Sequence, residues 1–281
     1  MRTTEEILTL LRLDSVGEDT FVGGNPGTQL QRTFGGHVMA QALAAVYETT
    51  EPDRLAHSLK GYFLRPGHPD VPLTYVVTRN RDGRTFSSRR VQALQDGREI
   101  FIMTVSLKLA EPGLDHAETP GHRPDPPERC VPLSEVLERI SRRTAHAWEH
   151  EFAAIDARFA GQEQVHGGSR MQVWLRTRDR LPDDPRTHQM MLAYASDMTL
   201  LGVSTLPHPG AMRAPGLIMA TVDHSMWFHR PIRADDWVLY DQGSPNAANA
   251  LGLSYGRLYD ADTRLGASTA QEGLIRLSEG Y

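Results

Sequence analysis

The sequence predicts an α+β fold in which one structural unit occurs twice, and three observations lead there. The first is a repeat: His57-Ser58-Leu59-Lys60-Gly61-Tyr62-Phe63-Leu64-Arg65-Pro66 is echoed by His224-Ser225-Met226-Trp227-Phe228-His229-Arg230-Pro231, with two residues fewer between Ser and Arg-Pro. The second lies upstream, where His37-Val38-Met39-Ala40-Gln41-Ala42-Leu43-Ala44 aligns at an offset of 151 with His188-Gln189-Met190-Met191-Leu192-Ala193-Tyr194-Ala195, matching at His, Met and two Ala. The third is a long hairpin of alternating segments downstream of each His-Ser strand. Each unit is thus a short strand, one helix and several antiparallel strands.

The elements follow in order. The first helix opens after Phe34-Gly35-Gly36. The first hairpin runs from Thr85 to Leu94, turns tightly at Asp96-Gly97 and returns from Glu99 to Leu109. Positions 112 to 132 then hold Pro112, Pro120, Pro124, Pro126, Pro127 and Pro132, which marks a linker without regular structure. Beyond it, Leu133, Val136, Leu137 and Ile140 form an apolar stripe opposite Glu135, Glu138 and Arg139, predicting an amphipathic helix over the outside. The second unit starts near Val173-Trp174-Leu175, and its helix has Asp184 as N-cap with Pro185 at the first helical position. Met190, Ala193, Tyr194 and Asp197 fall at i, i+3, i+4 and i+7, so one face carries all four. The second hairpin runs from Leu251 to Tyr259, turns between Asp260 and Thr263, and returns from Arg264 to Leu277. Both helices have so little polar surface that a sheet is expected to wrap each one. The expected division is an N-terminal unit over 1–110, a linker with its covering helix over 111–168, and a C-terminal unit over 169–281.

Composition excludes several classes of function. The chain of 281 residues is 40% hydrophobic, enough for a buried core, so disorder is not expected. Its 30 Lys+Arg against 35 Asp+Glu give a net charge of −5 with no basic block, which leaves no electrostatic footprint for nucleic acid. Cys130 is the only cysteine and cannot form an internal disulfide, which suits a reducing compartment. No stretch approaches the roughly 18 apolar residues of a membrane helix, and Met1-Arg2-Thr3-Thr4-Glu5-Glu6 is too polar for a signal peptide, so a cytoplasmic location is expected.

The ordered blocks Phe34-Gly35-Gly36, His57-Ser58 to Arg65-Pro66, Tyr194-Ala195-Ser196-Asp197, Asp223-His224-Ser225-Met226-Trp227-Phe228-His229-Arg230-Pro231 and Ser268-Thr269-Ala270-Gln271-Glu272-Gly273 together resemble the acyl-CoA thioesterase II family over nearly the whole chain. The resemblance implies two fused hotdog domains (a double hotdog), each an antiparallel sheet around a central helix. It implies hydrolysis of medium- to long-chain acyl-CoA to free acid and coenzyme A by direct attack of water. It also carries the family's catalytic trio onto Asp197, Thr221 and Gln271, with all three residue types intact.

The residues suit that chemistry. Thioester hydrolysis needs a water positioned and deprotonated near a carbonyl, plus donors for the oxyanion. A carboxylate on an apolar helix face tends towards a raised pKa, which makes it a better base near neutral pH. Thr221 and Gln271, in strands, carry no such signal of their own and rest on the resemblance. Gly35 and Gly36 expose backbone N–H groups at a helix start, suited to an oxyanion or phosphate or else to close packing. Arg65 and Arg230, with Arg89 and Arg90, are candidates for the coenzyme A phosphates on chemical grounds.

Other motifs are set aside. Gly252-Leu253-Ser254-Tyr255-Gly256 matches the nucleophile elbow of α/β-hydrolases, but it sits within a strand and no His follows His229. Cys130 sits among prolines, far from any motif. His57 and His224 are expected to hydrogen-bond between helix and sheet. The cysteines of a structural zinc site are missing, and neither metal nor cofactor is expected. Two other readings compete: a non-catalytic acyl-CoA-binding protein, against which the intact trio counts, and a hotdog-type enoyl-CoA hydratase using His188 near Asp183 and Asp184. The alignments place Val46 opposite Asp197, Arg54 opposite Thr221 and Val105 opposite Gln271, so one competent site per chain is expected. Sheet edges and a helix-free face lead us to expect a homodimer or homotetramer.

Overall fold

The computed structural model describes residues 3–165, 168–214 and 216–277. Its strands are β1 (Asp14–Gly17), β2 (Thr20–Gly23), β3 (Leu55–Phe63), β4 (Leu73–Asp82), β5 (Phe86–Gln95), β6 (Arg98–Lys108), β7 (Val131–Pro132), β8 (Ile155–Val165), β9 (Gly168–Thr177), β10 (Leu217–Phe228), β11 (Val238–Ala248), β12 (Leu251–Tyr259) and β13 (Leu265–Leu277). The helices are α1 (Thr4–Leu10), α2 (Gly35–Glu48), α3 (Leu133–Ile140), α4 (Arg142–Glu151), α5 (Pro185–Ser196) and α6 (Leu200–Val203). All the strands join one antiparallel sheet in the order β1-β2-β4-β5-β6-β3-β10-β13-β12-β11-β9-β8-β7. The order β2-β4-β5-β6-β3 is mirrored by β10-β13-β12-β11-β9, so the repeat seen in the sequence is a repeat of the fold.

Each unit wraps its strands around its own helix. In α2 every residue from Gly36 to Tyr47 is buried, as its apolar composition demands. In α5, Pro185 takes the first helical position and the Asp184 carboxylate accepts from the N–H groups of Arg186 and Thr187. The first hairpin turns on Asp96 and Gly97, both with positive φ (48° and 72°), the conformation whose twist matches the flanking strands.

The units meet at the pairing of β3 with β10, from Asp223 opposite Tyr62 to Trp227 opposite Ser58. A β-bulge marks each of these strands. The register of β10 against β13 slips between Thr221 and Asp223, and that of β3 against β6 slips between Ala56 and Ser58. Superposing the two bulges also superposes Arg65-Pro66 on Arg230-Pro231. This match corrects the His-Ser alignment by two residues: the partner of Thr221 is Ala56, not Arg54, and that of His224 is Leu59, not His57. Val105, opposite Leu59, remains the counterpart of Gln271, opposite His224. Backbone geometry sets this register. Leu64 and Arg65 N–H donate to the Ile100 carbonyl just as His229 and Arg230 N–H donate to that of Gly266.

The middle of the chain departs from expectation. Val131–Pro132 pairs with β8, and Ile155–Val165, expected within the linker and covering helix, is a full strand beside β9. The proline-rich segment is anchored on β9, its His122 carbonyl accepting from the Gln172 amide and its Asp125 carbonyl from the Trp174 indole. The predicted amphipathic helix is α3, and a second helix, α4, follows it with Ser141 as N-cap.

Candidate active site

Asp197 follows the last residue of α5 and caps its C-terminus, so the helix itself aims the carboxylate at the sheet. The Thr221 hydroxyl donates to Asp197 Oδ1 at 3.1 Å. The Gln271 amide donates to the same oxygen at 2.5 Å and to Thr221 Oγ1 at 2.9 Å. The structure thus brings together Asp197, Thr221 and Gln271 from a helix end and two adjacent strands. The β10 bulge makes this possible: strict alternation would turn Thr221 away from the face that carries His224, and the extra residue Val222 returns it.

The first unit contributes as well. Gly36 N–H donates to the Asp197 carboxylate. A Cβ at Gly35 would lie 2.6 Å from Asp197 Oδ2 and 2.9 Å from the Phe63 ring, and one at Gly36 would lie 2.3 Å from the Tyr194 carbonyl oxygen. Only glycine permits α2 to start this close to the end of α5. The Gly36 amide, expected to face an oxyanion or phosphate, is therefore used on the carboxylate.

The Asp197 side chain is only 5% exposed. Desolvation pushes its pKa up to about 6, against the opposing hydrogen bonds from Thr221, Gln271 and Gly36. The C-terminal end of α5 disfavours the negative charge, while the N-terminal end of α2 favours it. The result is a carboxylate able to take a proton near neutral pH. Behind it lies a polar network: Tyr240, which sequence reasoning missed, donates to the Ser196 carbonyl at 3.0 Å and lies 2.9 Å from Thr269 Oγ1, and His224 Nε2 lies 3.0 Å from Ser196 Oγ, the expected link between helix and sheet. Together these groups tie the end of α5 to the sheet. His224 is fully buried, which pushes its pKa down to about 3.

The remaining candidates stand elsewhere. Arg65 donates to the Glu99 carbonyl at 2.6 Å and Arg230 to the Leu265 carbonyl at 3.0 Å, equivalent hairpin contacts that explain the repeated Arg-Pro without a phosphate. Arg89 is buried, donating to Asp82 and to Thr49, and Arg90 lies 3.8 Å from Glu99. His57 contacts Ser106 of the neighbouring strand rather than a helix. His188, at the opposite end of α5 from Asp197, accepts from the Ala234 N–H, so the hydratase reading gains no dyad beside the trio. Cys130 is buried against Trp174, Leu239 and Tyr259, and burial raises its thiol pKa. Ser254 is fully buried in the middle of β12. His146 and His150 stand four residues apart on α4, a spacing the sequence reading passed over. Among the described residues no group of three or more His, Cys, Asp or Glu could hold a metal ion.

Residues 25–108 match the family described as acyl-CoA thioesterase N-terminal domain, and residues 142–274 the one described as acyl-CoA thioesterase. The chain is 33% identical to acyl-CoA thioesterase 2 of Haemophilus influenzae, over 97% of this chain and 98% of that protein. It belongs to the acyl-CoA thioesterase II family. This acyl-CoA thioesterase is also 34% identical to human acyl-coenzyme A thioesterase 8, over 96% of this chain and 89% of that one. Among solved structures it resembles an acyl-CoA thioesterase II from Mycobacterium marinum, with 38% identity, a TM-score of 0.85, and coverage of 98% of this chain and 100% of that chain. The fold is accordingly a double hotdog, and the enzyme is a hydrolase. Among the described residues no helix is long and apolar enough to cross a membrane.

Proposed function

We propose that this thioesterase hydrolyses medium- to long-chain acyl-CoA by direct attack of a water held by Asp197, Thr221 and Gln271, without an acyl-enzyme. The closed triangle of hydrogen bonds around Asp197 Oδ1 carries this reading. A water entering it opens one side of the triangle, donating to Asp197 and accepting the hydrogen so freed from the Gln271 amide or the Thr221 hydroxyl. Asp197 removes its proton as the oxygen attacks the thioester carbonyl, the carbon–sulfur bond breaks, and the proton passes to the coenzyme A thiolate.

Two further parts of the proposal concern the whole protein. Tyr62, Trp227 and Tyr255 are 39%, 43% and 47% exposed on the outer face of the sheet around the β3–β10 seam, which supports a homodimer or homotetramer. A cytoplasmic location fits the absence of disulfides.

The test is free thiol released from acyl-CoAs of graded chain length by wild type and Asp197→Asn, with circular dichroism to check the fold. The variant is expected to lose at least about a hundredfold in kcat, the scale of general base catalysis. A folded Asp197→Asn that keeps the wild-type rate would falsify the assignment of the base. Rates highest on acetyl-CoA would instead remove the chain-length part.

A further inference from the structure

His224 has one ring nitrogen satisfied and one bare. Ser196 Oγ donates its single proton to the Ala193 carbonyl at 2.9 Å, so towards His224 Nε2, 3.0 Å away, it can only accept. With that proton on the carbonyl, Nε2 carries the hydrogen and the neutral ring presents a lone pair at Nδ1; with it turned to Nε2, Nδ1–H would face Asp197 instead. That atom is fully buried, has no hydrogen-bond partner among the described residues, and lies 4.0 Å from Asp197 Oδ1. Two acceptors thus face each other across this gap. An unpartnered buried acceptor is costly unless some state of the protein supplies a donor. The state that does so is the one in which Asp197 has taken a proton.

We propose that His224 is a positioning residue for the base: its bare Nδ1 accepts a hydrogen bond from the Asp197 carboxyl once that group has removed the proton from water. This deepens the proposed function and rests on Asp197 being the base. In the resting enzyme the lone pair faces a carboxylate and gains nothing. As water attacks, its oxygen–hydrogen bond breaks, its oxygen bonds to the thioester carbon, and the proton arrives on Asp197. With one of the two donors on Oδ1 displaced by the entering water, the protonated carboxyl turns its O–H from the water's side to Nδ1, and the gap closes to hydrogen-bond length. The proton stays on Asp197 until the carbon–sulfur bond breaks and the thiolate receives it, so His224 stays neutral throughout. A contact made only by the protonated carboxyl stabilises the tetrahedral intermediate over the ground state, and with it the transition state that resembles that intermediate. The groups facing His224 agree with this: Ser196 fixes the tautomer, Gln271 stands opposite it on β13, and Gly61, without a side chain, stands opposite it on β3.

Two conservative substitutions separate this role from a structural one, because Gln mimics Nε2 and Asn mimics Nδ1. His224→Gln keeps the bond to Ser196 and loses the acceptor. It is expected to lower kcat roughly 10- to 100-fold with KM and Tm nearly unchanged, and to move the acid limb of the pH–rate profile to lower pH. His224→Asn is expected to lower Tm while keeping more of kcat. A folded His224→Gln with wild-type kcat and an unmoved acid limb overturns the proposal. Nitrogen NMR of wild-type enzyme labelled at histidine needs no folded variant: an unprotonated Nδ1 whose resonance moves as Asp197 titrates is expected, and a protonated Nδ1 overturns the proposal. Asp197→Asn assayed alongside distinguishes the two failures. If it is inactive while His224→Gln is unimpaired, the base stands and only the His224 role falls; if Asp197→Asn is active, both fall.

Discussion

Gly36 and Asp197 belong to different repeats, yet the Gly36 amide donates to the Asp197 carboxylate, and the space at Gly35 is so tight that a methyl group there would lie 2.6 Å from Asp197 Oδ2. The site is therefore built by both halves of the chain, although all three members of the trio come from one.

Gly35→Ala tests that contact. The added methyl must displace either the carboxylate or the Phe63 ring, and the carboxylate is the group held only at its tip. We predict a fall in kcat of about tenfold or more, since misplacement of a reacting group by an ångström can cost about a hundredfold. Steady-state kinetics with wild-type-like circular dichroism would establish it; unchanged kcat would show that the carboxylate does not need this approach.

Much of the architecture around this site was legible in the sequence, and the reasons are local. Asp184-Pro185 announces a helix start and Asp96-Gly97 a hairpin, because each needs only its own backbone conformation. The β10 bulge was not legible, since it is a mismatch between strands some fifty residues apart, and it corrected the counterparts of Thr221 and His224. The β8 strand was hidden because its outer half is polar and exposed. Asp197 could be suspected from its place on an apolar face. Thr221 and Gln271 look like any strand residues and came from family resemblance. His224 was expected to link helix and sheet, and its Ser196 contact does so; its bare nitrogen depends on where one serine proton points.

The pH dependence of the rate follows from the burial of Asp197. With its pKa raised to about 6, activity should rise with pH through that value and level off above it. Stability should move the other way. Between the usual carboxylate value of 3.8 and about 6 the folded state holds a proton that the unfolded state has released, so stability falls as pH rises through that window. Two pH units correspond to roughly 2–3 kcal/mol. Calorimetry of wild type against Asp197→Asn should show this slope in the former and its loss in the latter.

Cys130 and Ser254 should be bystanders. The Ser254 hydroxyl is buried without a hydrogen-bond partner among the described residues, so Ser254→Ala removes an unsatisfied group and should be neutral or mildly stabilising, by up to about 1 kcal/mol. Cys130→Ala should keep near-normal turnover. Mass spectrometry of enzyme quenched during turnover should find no acyl adduct on either residue, and finding one would refute direct attack by water.

One active site per chain is expected from the first unit's interior. Ala56, Leu59 and Val105 occupy the positions of Thr221, His224 and Gln271, all buried and apolar. Arg186 occupies the end of α2 there, its guanidinium donating to the carbonyls of Tyr47 and Thr50 while stacking on the Tyr47 ring. Titration with a tight-binding acyl-CoA analogue should count one site per chain. Val46→Asp, a lone carboxylate placed at a fully buried position, should destabilise the protein without creating a second site. Hydrolysis surviving Asp197→Ala would contradict this.

The five paired positions along β3 and β10 also determine how the molecule comes apart. The register across that seam runs without a slip, over fewer positions than the eight that pair β3 with β6 or the eleven that pair β10 with β13. Separating the halves would strip two central strands and expose buried residues from both, so neither half has a stopping point short of the whole. Thermal unfolding should therefore be a single cooperative transition with matching calorimetric and van't Hoff enthalpies, and damage in the chemically silent half should lower the melting temperature of the active one by the same amount.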